Sequence, residues 1–263
     1  MPELPEVETV VRSVRPHIVG KKILAASFGS HRVTRASHEG TAQALTGSTI
    51  MDVRRPGKQI LIDLDRGLLY VHLGMTGKLL WNAPPTKYTR AQLHFEDGRL
   101  IYDDTRMFGR VEFFATPPET LSRVGPDALT VTFEDFYARL KRHRGRIKAV
   151  LLNQAFLAGV GNIYADESLF AAGVHPGASA QRLSKIRAEK LHRHLLEILQ
   201  AAIRYRGSSI ADYMDSAGER GSYQQMHNVY GRKGESCPRC GAAIRRIVLA
   251  QRGTHFCPRC QKP

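Results

Sequence analysis

The stretch that organises this chain reads MPELPEVE and covers residues 1–8. Removal of Met1 would leave Pro2 as a free secondary amine, and part of it would be neutral near pH 7 because an α-amino group has a pKa of about 8. A neutral amine can attack an aldehyde-like carbon and form an iminium, and the carboxylates of Glu3 and Glu6 could handle the protons. The same residues also fit a plain helix entry, with glutamates that complement the helix dipole. This stretch alone leaves both interpretations open.

A valine stripe follows and then gives way to short strands. Val7, Val10, Val11 and Val14 recur on one helical face, which predicts a helix that ends or kinks at Pro16. From there to about residue 115 the sequence consists of short β-forming runs separated by tight turns. The predicted strands cover residues 23–28, 50–54, 59–64, 68–73, 92–95, 100–103 and 111–114. Many short strands joined by hairpins predict an antiparallel β-sandwich with a leading helix.

The second half of the chain is helical. The pattern breaks around Gly125-Pro126-Asp127, which we interpret as a hinge. The predicted helices cover residues 133–140, 147–153, 162–172 and 184–205. Residues 207–228 are rich in Gly, Ser and Asp and predict a long loop, and loops of that length are usually functional or disordered. We therefore expect an α+β multidomain chain, with a β-sandwich domain (1–128), a helical domain (129–228) and a ribbon (229–263).

The composition points to a polyanionic partner. Lys and Arg total 39 against 24 acids, which gives a net charge of +15 and a pI near 10. Such a balance is typical of proteins that bind nucleic acid. No apolar run approaches the roughly 18 residues that a membrane span needs, and the acidic start differs from a secretory signal. We expect a monomeric, cytoplasmic protein that associates with the nucleoid and not with a membrane.

The C-terminal ribbon carries the strongest motif. Two C-x2-C pairs with 16 residues between them are formed by Cys237, Cys240, Cys257 and Cys260. This spacing predicts one zinc ion held by four thiolates, and because four ligands close the coordination shell, the zinc is expected to be structural. Residues 231–263 hold eight Lys or Arg and a single acid, which indicates a DNA-gripping hairpin. Arg252 falls at the turn of that hairpin and can project outward.

A glycine-rich turn in the helical half is a second candidate for phosphate binding. Gly159-Val160-Gly161-Asn162 leads into a helix, whose N-terminal amides could approach a phosphate, with Asn162 as N-cap and donor. Close packing of two helices would explain the glycines equally well. The balance moves toward phosphate because a basic cluster lies just upstream, consisting of Arg139, Lys141, Arg142, Arg144, Arg146 and Lys148.

The β half offers candidates with two interpretations each. Lys58 follows Pro-Gly in a predicted exposed turn, where it could be simply solvated or could meet a phosphate or a proton-transfer site. Met75 lies between glycines, and Arg106 and Phe108 occupy a similar loop. Arginine and apolar wedges on loops can enter a base stack, but core packing of Met75 and Phe108 is the alternative. His72 lies in an apolar strand and is interpreted as a core residue.

Together these motifs resemble the bacterial formamidopyrimidine-DNA glycosylases, bifunctional enzymes of base excision repair. The resemblance runs along the whole chain and rests on Pro-Glu-Leu-Pro-Glu (2–6), Arg-Pro-Gly-Lys (55–58), His-Leu-Gly-Met-Thr-Gly (72–77), Gly159–Glu167, Val-Tyr-Gly-Arg (229–232) and the four cysteines. It implies that the helical domain has the helix-two-turn-helix fold. The related endonuclease VIII group usually has glycine where this chain has Leu4, which favours the purine-lesion branch.

The resemblance also implies a role for each candidate. Pro2 would attack C1′ of the damaged nucleotide, Glu3 would protonate the opening sugar, Glu6 would support that site, and Lys58 would contact phosphate and assist the eliminations. Arg252 is linked in the family to phosphate binding and to δ-elimination. The implied DNA contacts fall on Met75, Arg106, Phe108, Arg144, Lys148, Asn162 and Arg252. The lesion must leave the stack because its C1′ is unreachable inside a duplex.

Two departures from the family pattern bear on DNA contacts. Many relatives carry Lys-His-Asp-His where this chain has Lys87-Tyr88-Thr89-Arg90, and residues 217–221 differ from the commoner forms of a loop that closes over the flipped base. We expect a glycosylase and AP lyase that binds duplex DNA with damaged bases or abasic sites and excises 8-oxoguanine and formamidopyrimidines opposite cytosine. The alternatives are an endonuclease VIII-like activity on oxidised pyrimidines and a non-catalytic zinc protein that recognises damaged DNA.

Overall fold

The structure is a computed structural model that describes residues 1–29, 33–210 and 213–263. The chain divides into two compact units, and each consists of two segments. The first unit contains Met1–Ser122 and Tyr205–Gln224, and the second contains Arg123–Arg204 and Gln225–Pro263. Within the described ranges no helix has both the length and the apolar character needed to cross a membrane.

The first unit is an antiparallel β-sandwich preceded by a helix, as predicted. Its elements are α1 (Leu4–Ile18), β1 (Ala25–Phe28), α2 (His38–Leu45), β2 (Ile50–Arg54), β3 (Ile60–Leu64), β4 (Gly67–His72), β5 (Lys78–Trp81), β6 (Thr89–Phe95), β7 (Gly98–Asp103) and β8 (Arg110–Phe114). One sheet has the order β1-β6-β7-β5 and the other β2-β3-β4-β8, and every pairing is antiparallel. The sequence did not predict β5, since it has only four residues and only one of them is buried.

One apolar core joins the valine stripe of α1 to both sheets. Val7, Val10 and Val14 are almost completely buried and belong to the same cluster as Ile62 of β3 and Leu100 of β7. Strands and helix therefore bury their apolar faces together, which stabilises each by removing apolar surface from water. The helix was predicted to end or kink at Pro16. It ends two residues later, at Ile18, and Pro16 lies in its last turn.

The second unit contains four helices and a hairpin. They are α3 (Phe133–Arg142), α4 (Ile147–Leu152), α5 (Asn162–Ala172), α6 (Lys185–Arg204), β9 (Arg245–Leu249) and β10 (Arg252–Phe256). Thr132 caps α3 by accepting a hydrogen bond from Asp135 N, and α5 ends at Gly173, whose φ of +69° is left-handed. The predicted helices agree with these bounds to within two residues, and β9 and β10 form the expected ribbon.

The segment Tyr205–Gln224 belongs to the first unit although it follows the last helix of the second. It includes most of the predicted 207–228 loop, of which residues 211 and 212 lie outside the described residues. Regular structure in the described part of this loop is limited to a short 3-10 turn, Tyr223–Met226. Hydrogen bonds from Ser208 and Tyr213 to Glu6, in the first turn of α1, explain why this segment belongs to the first unit. The predicted domain boundaries at 128 and 228 remain predictions.

Candidate functional site

The start of α1 is fixed by two buried glutamates. Pro2 is buried, and Glu3 and Glu6 are only 3% and 2% exposed. The two glutamates form a capping box, in which Glu3 N donates to Glu6 Oε2 at 2.8 Å. The other carboxylate oxygen of Glu6 accepts a hydrogen bond from Ser208 N at 2.7 Å. Glu6 therefore connects the chain start to the 205–224 segment.

Gly207 is required at this junction. Its φ is +81°, and a Cβ built there would lie 2.7 Å from Glu6 Oε1. The glycine thus adopts a conformation that other residues rarely adopt and also leaves room for the carboxylate. Tyr213 adds a second link because its hydroxyl donates to the Glu6 carbonyl at 3.2 Å. Sequence patterns carry no sign of this long-range support, because its partners are about 200 residues apart.

Lys58 lies in a turn, as predicted, but its side chain is not exposed. Only 9% of the residue is accessible. Its neighbour Arg55 has a side chain that is 6% exposed, pairs with Glu8 of α1 at 2.7 Å and donates to the Gly57 carbonyl at 2.6 Å. Although burial by itself raises the pKa of Glu8, hydrogen bonds from Arg55 and Arg12 bring this pKa below its usual value. The Arg55–Glu8 ion pair connects the turn to α1. Because Lys58 is buried, the interpretation of it as a solvated lysine is wrong.

The electrostatics at the chain start involve three of the predicted catalytic residues, Glu3, Glu6 and Lys58. Burial lowers the pKa of the Met1 amine below its usual value, and the charges of Lys58 and Arg106 lower it further, whereas Glu3 and Glu6 oppose the shift. A less basic amine is more often neutral near pH 7, and a neutral amine is nucleophilic. The structure therefore brings an amine of reduced basicity together with two carboxylates and a lysine.

The two candidate wedge loops are on the surface. Met75 is 42% exposed and Phe108 is 57% exposed, so the core-packing alternative is wrong for both. Arg106 is also exposed, and its guanidinium lies 4.9 Å from the centre of the Phe108 ring. Nearby, burial lowers the pKa of His72, helped by the charges of Lys58 and Arg110, and His72 Nδ1 accepts a hydrogen bond from Gly74 N. Both observations favour the neutral form of this histidine.

The Lys87–Arg90 segment, which departs from the family pattern, is largely structural. Thr89 donates its hydroxyl to Asp103 at 2.6 Å, and buried Arg90 donates to the Asp104 carbonyl at 2.9 Å. Tyr88 is 37% exposed, with the ammonium of Lys87 lying 5.2 Å from its ring. Lys87 and Tyr88 are thus exposed, whereas Thr89 is partly buried and Arg90 is buried.

Lys148 and Asn162 hold the hairpin of the second unit. Lys148 is fully buried, and its ammonium contacts Asp166 at 2.6 Å, the Thr254 hydroxyl at 2.8 Å and the Gly253 carbonyl at 3.1 Å. Asn162 donates its side-chain amide to the same carbonyl at 3.0 Å. Gly161, and not Asn162, is the N-cap of α5.

The structure therefore places Lys148 inside the unit, although the sequence suggested a surface cation. Asp166 was not singled out by the sequence, although its position four residues after Asn162 puts both on one face of α5. Arg144 and Arg252, by contrast, are exposed as predicted.

The four cysteines converge as a metal site requires. Their sulfur atoms all lie within 4.8 Å of one another, with Cys237 and Cys260 at 3.9 Å and Cys240 and Cys257 at 3.5 Å. A tetrahedral zinc with Zn–S bonds of about 2.3 Å requires S···S separations of roughly 3.8 Å. The amides of Arg239 and Cys260 also donate to the sulfurs of Cys237 and Cys257. These residues fit a zinc ion.

Three family models match successive parts of the chain. The model described as Formamidopyrimidine-DNA glycosylase N-terminal domain matches residues 1–111. The Formamidopyrimidine-DNA glycosylase H2TH domain matches residues 124–214, and the Zinc finger found in FPG and IleRS matches residues 234–263.

Individual relatives match over the full chain. A protein of Solibacter usitatus (strain Ellin6076) named Formamidopyrimidine-DNA glycosylase is 49% identical over 264 residues, which cover 100% of both chains. The crystal structure of the MutM (FPG) protein from Thermus thermophilus matches with a TM-score of 0.90 and 40% identity, again over 100% of both chains. A Lactococcus lactis FPG variant, in complex with a Fapy-dG containing DNA, matches with a TM-score of 0.91 and 39% identity over 100% of both chains. The chain therefore belongs to the formamidopyrimidine-DNA glycosylase family.

Proposed function

We propose that this protein is a bifunctional DNA glycosylase and AP lyase of base excision repair, which excises 8-oxoguanine and formamidopyrimidines opposite cytosine. The observation that carries the proposal is the position of Pro2, which is buried at the start of α1 next to the buried capping-box carboxylates of Glu3 and Glu6. The Lactococcus lactis relative was crystallised with a Fapy-dG containing DNA, which supports the substrate class. Leu4 in the first motif favours oxidised purines over oxidised pyrimidines.

The chemistry begins at Pro2 after Met1 is removed. The neutral amine attacks C1′, the bond from C1′ to the base breaks, and the base leaves with a proton. Glu3 protonates the ring oxygen as the sugar opens, and an iminium remains on Pro2. Glu6 keeps the first turn of α1 in place through its bonds to Glu3 N and Ser208 N.

Two eliminations follow from the iminium. Loss of a C2′ proton expels the 3′ phosphate, and loss of a C4′ proton expels the 5′ phosphate, so that a one-nucleoside gap remains. Lys58 assists these steps, since its ammonium is held near the amine and carries charge that a phosphate can meet. Arg252 contributes to phosphate binding and to the second elimination from the exposed end of the hairpin.

The DNA contacts come from both units. In the first unit, Met75, Arg106 and Phe108 would fill the gap left by the flipped nucleotide, with Arg106 facing the orphan base. In the second unit, exposed Arg144 and Arg252 would bind phosphates. Asn162 and Lys148 would contribute beside the hairpin, Lys148 through its hold on Gly253 and Thr254.

A zinc ion bound by Cys237, Cys240, Cys257 and Cys260 would stabilise the hairpin that presents Arg252. When bound, the metal supplies cross-links and no chemistry at the lesion, because four thiolates leave no open coordination position. We propose that the protein acts as a monomer on duplex DNA and that 1–128, 129–228 and 229–263 are its functional parts.

Borohydride trapping tests the proposal directly. A duplex with 8-oxoguanine opposite cytosine should give a covalent protein–DNA adduct with protein whose N-terminal residue is Pro2, as verified by mass. The matched control is the same chain with Met1 retained, in which the Pro2 nitrogen is an amide and should give no adduct. If the processed protein gave no adduct, the proposed chemistry would be wrong and the alternative of a non-catalytic DNA-binding protein would be favoured. A lesion panel completes the test, since preference for thymine glycol would favour the endonuclease VIII-like alternative.

A further inference from the structure

The two loops that carry the wedge residues meet over one buried carboxylate. The first loop (residues 73–77) joins β4 to β5 and carries Met75, and the second (residues 104–109) joins β7 to β8 and carries Arg106 and Phe108. Asp104 is completely buried beneath them. A buried carboxylate is costly unless it is hydrogen-bonded, so its partners identify what it holds.

Asp104 accepts hydrogen bonds from both loops. Its Oδ1 accepts from the Thr76 hydroxyl at 2.6 Å and from Arg106 N at 3.2 Å. Its Oδ2 accepts from Gly109 N at 2.8 Å. Thr76 takes part a second time, because its hydroxyl oxygen accepts from Arg106 N at 3.1 Å. The carboxylate and the threonine together therefore hold the backbone on both sides of Met107 and Phe108.

The backbone between these anchors needs such support. Met107 has a φ of +57°, a left-handed conformation that costs a non-glycine residue free energy. The first loop also presses against the second, since a Cβ built on Gly74 would lie 2.6 Å from both the Phe108 carbonyl carbon and Gly109 N. A conformation this crowded persists only where the surroundings hold it. Asp104 supplies bonds on both sides of the strained residue.

We propose that Asp104 and Thr76 are positioning residues, which assemble the Met75 loop and the Arg106–Phe108 loop into one preformed wedge before DNA arrives. Preformed side chains lose less conformational freedom on insertion into a base stack, so binding is favoured. The inference rests on the proposed function, in which these side chains fill the gap in the duplex. Both side chains are buried, so they act through the loops that they hold and not at the reacting atoms.

The hydroxyl of Thr76 can be removed without a change in shape. In Thr76→Val the side chain keeps its volume and loses its donor and acceptor, whereas Thr76→Ser keeps both. The substrates are a duplex with an abasic site opposite cytosine and the same abasic strand alone, which has no base stack to enter. Borohydride trapping is measured in single turnovers on both. Wedge entry is measured separately, by the fluorescence of 2-aminopurine placed opposite a tetrahydrofuran abasic analogue, which has no aldehyde at C1′ and therefore cannot react with Pro2.

Thr76→Val should trap the duplex about tenfold more slowly, the effect expected for the loss of a buried hydrogen bond to a charged group. It should trap the single strand at the wild-type rate and give a smaller fluorescence rise. Thr76→Ser should match the wild type in all three measurements. Asp104→Asn, which replaces an acceptor of a backbone amide by a donor, should show the same pattern with a larger loss on the duplex.

Three results would overturn the inference. Equal trapping and fluorescence for the valine and serine variants would show that the hydroxyl positions nothing. An equal loss on duplex and single strand would place the effect at the Pro2 site or on general stability. Absence of a fluorescence rise with the wild type would mean that no wedge enters the duplex. If the wild type gave a fluorescence rise but no adduct, the proposed chemistry would be refuted. The fluorescence of Thr76→Val compared with Thr76→Ser would still decide whether Thr76 positions the loops.

Discussion

The start of α1 and the four-cysteine hairpin are both small elements, but different forces hold them. The hairpin carries four clustered cysteines that are close in sequence and fit a metal ion, and a buried ion pair between Lys148 and Asp166 lies behind it. The chain start depends on Glu6 and Arg55, whose partners are Ser208, 202 residues away, and Glu8, 47 residues away. A hairpin whose cysteines are close in sequence can be stabilised by a few strong bonds. The start of α1 is held by residues from distant segments, so its geometry depends on the folding of the whole first unit. Perturbing each support in turn tests this difference.

The largest effect is expected from loss of the zinc site. Cys257→Ser or chelation should unfold the hairpin, because the binding free energy of a structural zinc, on the order of 10 kcal/mol, is also folding free energy. Protease sensitivity of residues 229–263 reports the unfolding, and duplex affinity should fall together with it. Borohydride trapping of an abasic single strand should survive, since the Pro2 site belongs to the other unit. A zinc-stripped protein that binds duplex normally would contradict the proposed role of the ribbon.

The buried ion pair comes next. Lys148→Met should lower the free energy of unfolding of the second unit by about 3–5 kcal/mol, because Asp166 would keep a buried charge without its partner. Thermal or urea unfolding measures the change. Arg144→Met is the matched control on the same segment, and it should weaken DNA binding with little effect on stability because Arg144 is exposed. Similar stabilities for the two variants would argue against a structural role of Lys148.

Gly207 tests the long-range support of the chain start. Gly207→Ala should lower the free energy of unfolding by roughly 1–3 kcal/mol and slow trapping, because a left-handed alanine would also push against Glu6. Gly20→Ala is the control in the same unit: Gly20 has the same φ of +81°, but nothing lies within 4 Å of its Cβ position. Equal trapping rates for the two variants would show that the contact with Glu6 does not matter to the site.

The smallest effect concerns the pH dependence of trapping. Burial lowers the pKa of the first amine in this environment, and we expect the same for Pro2 after Met1 is removed. Only the deprotonated amine attacks, so the trapping rate should rise as the pH increases through this pKa and level off above it, with a midpoint below about 8. The rise between pH 7 and the plateau should then be less than about tenfold. A midpoint clearly above 8 would contradict the desolvated site.

Sequence patterns alone were sufficient for elements that depend on local chemistry. The strand β2, the helix α5 and the clustering of the four cysteines were predicted correctly because periodicity, turn residues and C-x2-C spacing act over a few residues. The resemblance added candidate roles for Pro2 and Lys58. Strand β5 escaped prediction because its four residues, of which one is buried, are too few to show an alternating apolar pattern.

The tertiary structure decided which side chains face solvent and which lie inside. A lysine after Pro-Gly looks exposed in sequence, and only the folded structure shows that Lys58 is buried. Lys148 looks like one more cation in a basic run until its contact with Asp166 is seen. The sequence by itself determined the candidate reactive groups, the four cysteines that fit a metal ion and the order of the elements. The structure decided which residues hold these groups in place. Glu6 binds Ser208, Asp104 binds Thr76 and Asp166 binds Lys148, and each bond joins segments that only folding brings together.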